Sequence, residues 1–211
     1  MSVEEADLAE HYLEMPAVTA GMTVGLFGGS FNPPHEGHLL IARHAIEALK
    51  LDQLWWMVSP GNPLKDHSEL PSLAERIRLS EALVDDPRIK VTGFEAAHKI
   101  RYSADAIEMV LAQHSDVRFV WVMGADSLAT FDKWARWEWI VETIPIAVYN
   151  RPGSSVADHS SLMAQTFASS KVDEVRASAL AQMPPPAWTF IHGPVSPLSS
   201  TELRNGKRGN T

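Results

Sequence analysis

The chain has 211 residues, 45% of them hydrophobic, a formal net charge of -8 at pH 7 and no cysteine. That length supports one well-buried core and a single domain, and the missing thiols exclude disulfides, thiolate metal sites and a cysteine nucleophile. The acidic balance argues against nucleic acid or an anionic membrane as partner. No apolar stretch reaches the roughly 20 residues of a membrane span, and the acidic N-terminus is unlike a basic secretory leader, so a cytoplasmic protein is expected.

Residues 1–20 carry Glu4, Glu5, Asp7, Glu10 and Glu14 among few apolar positions. They are expected to form a flexible extension ahead of a domain spanning 21–211. Met22, Val24, Leu26 and Phe27 then make a short apolar strand, and residues 39–49 repeat apolar side chains at helical spacing. The turn between them reads Gly-Gly-Ser-Phe-Asn-Pro-Pro-His-Glu-Gly-His over residues 28–38. Gly28 and Gly29 are expected to take φ values closed to other residues and to let the backbone approach a ligand, with Pro33 and Pro34 stiffening the entry to the helix. Free N–H groups at such a helix start favour an anion such as phosphate. His35 and His38, three residues apart, share a face of the first helical turn and border that anion site. The dinucleotide Gly-x-Gly-x-x-Gly and the P-loop Gly-Lys-Ser/Thr are absent, and His-Glu-Gly-His lacks the spacing of the zinc protease signature. The plainer alternative is a tight turn bearing two solvated histidines.

Residues 54–59 form a buried strand that stops at Pro60-Gly61, and Lys65 lies in the loop beyond. A helix is predicted over 72–84, with Ser72 as N-cap and Leu73, Ile77, Leu79 and Leu83 as its apolar positions. A strand over 88–94 and a helix over 104–113, capped by Ser103, follow. Residues 117–123 form another strand and run into Gly124-Ala125-Asp126. The Asp126 carboxylate there can serve as a helix cap, as an acceptor for ribose hydroxyls, or as both. Trp134, Trp137 and Ile140 are placed on one helical face. A strand over 144–149 leads to a Ser, Ala and Pro-rich stretch, 154–186, which holds a surface helix over 172–183 and no recognisable chemistry. A last strand covers 188–192, and Ser199, Ser200 and Thr201 open a terminal helix with Arg204 one turn along, a second anion site. Alternating strands and helices imply a Rossmann-like, doubly wound α/β fold with a parallel sheet, whose ligands bind beyond the carboxyl ends of the strands.

Residues 28–38 resemble the His-x-Gly-His signature of the nucleotidyltransferase superfamily, whose members transfer AMP or CMP from a nucleoside triphosphate. Residues 198–204, Leu-Ser-Ser-Thr-Glu-Leu-Arg, resemble its Ile-Ser-Ser-Thr-x-x-Arg element, with Leu198 in place of Ile. Residues 101–106, Arg-Tyr-Ser-Ala-Asp-Ala, are similar to the Ser-Tyr-Thr-x-x-Thr element of the bacterial nicotinate-nucleotide adenylyltransferases, with Ser103 and Ala106 replacing the threonines. Gly124-x-Asp126 followed by Trp134 is similar to the same family.

The resemblance implies catalytic roles for His35, His38 and Arg204, and ATP contacts at Gly28, Gly29, Ser30, Phe31, Gly124, Asp126, Ser199, Ser200 and Thr201. It implies acceptor contacts at Lys65, Tyr102, Ser103, Ala104, Trp134 and Ala135, with Trp134 stacking on the pyridine ring and backbone donors meeting the nicotinate carboxylate. ATP and nicotinate mononucleotide are the expected partners, and Mg²⁺ is expected to be bound mainly through ATP phosphates, with no dedicated protein ligand. Nicotinamide mononucleotide or another phosphorylated acceptor is the alternative substrate. A non-catalytic nucleotide-binding regulator is the alternative from a different class.

Overall fold

The apolar runs pair into one parallel sheet in the computed structural model, in which residues 9–61, 70–150 and 160–193 are described. Its strands are β1 Thr23–Gly29, β2 Gln53–Val58, β3 Ile89–Thr92, β4 Arg118–Gly124, β5 Ile146–Tyr149 and β6 Trp188–Ile191. They lie in the order β3-β2-β1-β4-β5-β6, each hydrogen-bonded to its neighbour in parallel. From β1 the chain winds outward in one direction to β3, then returns to β4 on the other side of β1. The reversal opens a crevice beyond the carboxyl ends of β1 and β4, the position where such sheets bind ligands.

The helices are α1 Glu36–Ala48, α2 Leu73–Leu83, α3 Phe94–Ala97, α4 Ser103–Gln113, α5 Ala125–Leu128, α6 Trp137–Thr143 and α7 Leu162–Thr166. Side chains alternate across each strand. Leu26, Trp55 and Trp121 face a layer that includes Ile107 of α4 and Ile140 of α6. Phe27, Trp56 and Val122 face the opposite layer, with Ile41, Ala45 and Ile46 of α1 and Ile77 of α2. Both faces are covered, which is why the strands read as unbroken apolar runs. Ser72 caps α2 as its sequence predicts, accepting from the Glu75 N–H at 3.1 Å.

Several local expectations are corrected. The strand expected to reach residue 94 ends at Thr92, because Gly93 caps α3 and the Thr92 hydroxyl accepts from the Phe94 N–H at 3.2 Å. The surface helix expected over 172–183 is a 3₁₀ segment, Glu174–Gln182, whose Ala177, Leu180 and Ala181 are buried. From residue 9 onward, the segment read as a mobile extension is tied to the end of β3. The Gly93 N–H donates to the Tyr12 carbonyl at 2.7 Å, and the Thr92 hydroxyl donates to the Glu14 carbonyl at 2.9 Å.

Gly28 and Gly29 do not take the left-handed φ values expected of them; they complete β1, and the left-handed residue of the turn is Phe31, at φ 44°. What these glycines supply is flatness. A Cβ on Gly28 would sit 2.9 Å from the Trp121 indole, and one on Gly29 would sit 3.1 Å from the Phe31 ring. Trp121 is rigid and 1% exposed, so it cannot move aside. Gly28→Ala is therefore expected to cost about 1 to 3 kcal/mol of stability by overpacking, measured by denaturant unfolding; an unchanged midpoint would contradict this packing.

Candidate active site

The exit of β1 is shaped by its two histidines. His35 is the N-cap of α1, in an extended conformation (φ -152°, ψ 167°). Its Nδ1 accepts from the Gly37 N–H at 3.1 Å, and His38 Nδ1 accepts from the His35 N–H at 3.3 Å. This is a reciprocal capping box built from imidazoles instead of the usual hydroxyl and carboxylate. An Nδ1 that accepts a hydrogen bond carries no proton, so the ring hydrogen of each neutral imidazole sits on Nε2. The rings lie 3.8 Å apart, centroid to centroid, tilted by 34°. The cap thus uses Nδ1 of each histidine and places the ring hydrogen on Nε2, which in His35 is buried.

Aromatic packing fixes these rings from behind. His38 lies edge-on to Phe31 at 5.1 Å, and Phe31 stacks on Trp56 of β2 at 4.4 Å. Phe31 is 3% exposed. Its side chain therefore belongs to the core, and only its backbone can serve the nucleotide contact expected of it.

Arg76 of α2 was not singled out by sequence. It is 1% exposed, although it sits in a helix whose signal was carried by aliphatic residues. Its Nη1 donates to the carbonyls of Ser30 at 2.8 Å and Ser59 at 2.7 Å, its Nη2 to that of Pro60 at 3.2 Å, and its Nε to that of Pro71 at 3.1 Å. The only available signal was its spacing, since Arg76 falls on the same helical face as Leu73, Ile77 and Ser80.

At the exit of β4, Gly124 is the N-cap of α5, and Asp126 stands exposed in the first turn, so the capping role considered for Asp126 falls to Gly124. Tyr102, not Ser103, occupies the N-cap position of α4 (φ -121°, ψ 142°); Ser103 is the first helical residue, and no side chain caps this end. The backbone donors of the first turn are thus not covered by a capping side chain. Tyr102 is 39% exposed with the Arg101 guanidinium above its ring, while Ala104 is fully buried.

Trp134 is not on a helix with Trp137 and Ile140. It ends a 3₁₀ turn, Phe131–Lys133, in extended conformation, and Arg136 at φ 58° turns the chain before α6 begins. The half-buried Trp134 indole packs against Phe131 at 5.1 Å and edge-on to Trp121 at 6.2 Å. Ala135 is exposed beside it. Arg136, also missed in the sequence, ties this segment to α4. Its Nη1 lies 2.8 Å from Glu108 Oε2 and 3.4 Å from Asp105 Oδ1, and its guanidinium covers the Trp139 ring at 4.1 Å. The hydrogen bond from Arg136 holds the Glu108 carboxyl below its ordinary range. The start of α4 and the Trp134-Ala135 segment, two separate parts of the expected acceptor site, are thereby joined.

Lys65, Ser199, Ser200, Thr201 and Arg204 lie outside the described residues. Among the described residues, no group of three or more His, Cys, Asp or Glu side chains could hold a metal ion, and no helix is long and apolar enough to cross a membrane. The chemistry on offer is that of neutral donors and backbone N–H groups, which suits polyphosphate oxygens; a divalent cation there would take most of its ligands from phosphate and water.

Two outcomes follow from this geometry. His35→Asn keeps a good capping acceptor and His35→Ala does not, so the alanine variant is expected to be less stable than the asparagine variant by about 1 kcal/mol in denaturant unfolding. Equal stabilities would contradict the capping role. Glu95 of α3 is 6% exposed, and its Oε2 has no hydrogen-bond partner among the described residues. Burial pushes its carboxyl up from 4.5 to about 7. A carboxyl that binds its proton more tightly when folded contributes stability in full below its unfolded pKa, and this is lost as pH rises through the folded value. Glu95→Gln should therefore match the parent near about pH 4 and exceed its stability by up to about 3 kcal/mol near about pH 8. A difference independent of pH would contradict the buried carboxyl.

The cytidylyltransferase-like family model matches residues 26–206. The chain is 63% identical over 183 residues to a Brucella suis protein named "Probable nicotinate-nucleotide adenylyltransferase", covering 87% of this chain and 94% of that protein. A protein of the same name from Mesorhizobium japonicum is 57% identical over 195 residues, covering 92% of this chain and 100% of its own length. In fold, the chain is similar to the Plasmodium falciparum nicotinic acid mononucleotide adenylyltransferase complexed with NaAD. The TM-score is 0.64 at 14% identity, over 87% of this chain and 83% of that one. A matched family model spanning most of the sequence and relatives above half identity lead to one assignment: the chain belongs to the cytidylyltransferase-like family and, within it, to the nicotinate-nucleotide adenylyltransferases.

Proposed function

We propose that the protein transfers the adenylyl group of ATP to the 5′-phosphate of nicotinate mononucleotide, forming deamido-NAD and pyrophosphate. The observation that carries this reading is the histidine pair at the switch point of the sheet, whose Nδ1 atoms both accept from backbone N–H groups at the start of α1. It is supported by the relatives named for this activity.

In this reading an oxygen of the acceptor phosphate attacks the α-phosphorus of ATP in line, and the bond from that phosphorus to the bridging oxygen breaks as pyrophosphate leaves. No protein atom becomes covalently attached. His35 and His38 donate to oxygens on which charge builds in the transition state. Gly28 and Gly29 leave the strand end flat for the nucleotide, and the backbone at Ser30 and Phe31 borders its phosphates. Ser199, Ser200, Thr201 and Arg204 are assigned to the triphosphate, where a guanidinium fork suits paired oxygens. Gly124 and Asp126 are assigned to the ribose.

On the acceptor side, Lys65 and Tyr102 are assigned to the mononucleotide and Trp134 to the pyridine ring. The N–H groups of Ser103, Ala104 and Ala135 are assigned to the nicotinate carboxylate, since a carboxylate at a helix start gains from hydrogen bonds and from the helix dipole together. Mg²⁺, arriving with ATP, would neutralise polyphosphate charge. Holding two anionic reactants in register supplies the remaining acceleration. A cytoplasmic location is part of the same proposal.

The test is pyrophosphate release with ATP and Mg²⁺, offering nicotinate and nicotinamide mononucleotides in parallel. The acid should be strongly preferred, and His38→Ala should lose about 10² to 10³ in rate. Equal use of both mononucleotides would overturn the acceptor assignment, and no turnover with either would overturn the reaction.

A further inference from the structure

A buried guanidinium needs several acceptors to offset its lost hydration. Arg76 meets that need at the two strand exits beside the crevice. Its Nη1 alone bridges the Ser30 carbonyl, just past β1, and the Ser59 carbonyl, just past β2. Nη2 takes the neighbouring Pro60 carbonyl, and Nε reaches back to Pro71 at the entry to α2. The two exits also meet directly, the Ser59 N–H donating to the Gly29 carbonyl at 2.9 Å. Beyond that bond and the β1–β2 pairing that ends at Gly29 and Val58, the bonds of Arg76 set how Ser30 sits against the β2 exit. Ser30 leads into the left-handed Phe31, whose ring rests on Trp56 of β2 and beside His38. A shift of the β2 exit would thus reach the histidine pair through both the carbonyl bridge and the aromatic stack.

We propose that Arg76 is a positioning residue for adenylyl transfer, holding the nucleotide turn after β1 and the exit of β2 as one unit so that both reactants meet the histidine pair in register. The inference rests on the adenylyltransferase reading above. It needs a planar fork with donors at fixed angles; the ammonium of lysine is a single point with a different reach and cannot span the same carbonyls.

The test uses the full chain and the variants Arg76→Lys and Arg76→Gln, with thermal melting recorded for each. A misplacement of about 1 Å costs on the order of 100-fold in rate. Folded Arg76→Lys should therefore lose about that factor in kcat and show raised KM for both ATP and nicotinate mononucleotide. A purely structural arginine would lower only the active fraction, leaving both KM values at those of the parent, and that result overturns the proposal. Parent turnover in the same assay separates this inference from the reading beneath it, since failure of the parent enzyme counts against the reaction.

Amide exchange of the parent protein with ATP alone decides the point without relying on any variant. Protection should appear together at residues 29–31 and 59–61, and Arg76→Lys, where it folds, should lose the second patch. Protection confined to 29–31 in the parent would overturn the coupling.

Discussion

Two hydrogen bonds at the start of α1, from the backbone of Gly37 and His35 to the Nδ1 atoms of His35 and His38, are the constraint on which the site depends. They satisfy helix-end donors that would otherwise need partners, and they dictate the tautomer of both rings. Most of the neighbouring structure keeps this arrangement in place. Phe31 turns the chain with a positive φ and buries its ring between Trp56 and His38. Gly28 and Gly29 stay bare because Trp121 and Phe31 lie where their side chains would go. Helix capping and the tautomer of both rings are thus one geometric fact.

The sheet and the order of its elements were legible in the sequence because parallel strands buried on both faces leave long apolar runs, and the helix signals between them carry the 3.6 period. The histidine pair was legible from its three-residue spacing. Its tautomers were not, since they depend on which backbone N–H each ring meets. Gly28 and Gly29 invited a dihedral explanation, but the true reasons are the Trp121 indole, 93 residues further on (121 - 28), for Gly28 and the ring of nearby Phe31 for Gly29. Trp134 appeared helical because Trp137 and Ile140 follow at helical spacing, and the left-handed Arg136 that breaks the run carries no local signature.

Two arginines show a similar limit. Arg76 and Arg136 drew no reading from the sequence, yet one is buried against four carbonyl groups and the other joins the 134–136 segment to α4. Only long-range contacts separate these roles. The energetics differ as well: the partly exposed pairs of Arg136 are screened and contribute little to stability individually, so their value lies in holding Trp134 and the start of α4 near each other. The bonds of Arg76 lie inside the protein, where an unmet polar group is costly.

The central claim is that the fold holds His35 and His38 as neutral rings with hydrogen on Nε2. The nitrogen-15 NMR spectrum of the imidazoles near neutral pH, assigned with His35→Asn and His38→Asn, tests it most directly. The account predicts that both residues show an acceptor-type Nδ1 and a protonated Nε2. A proton on Nδ1 of either ring would contradict it, because that ring could not accept the backbone hydrogen bond at the start of α1.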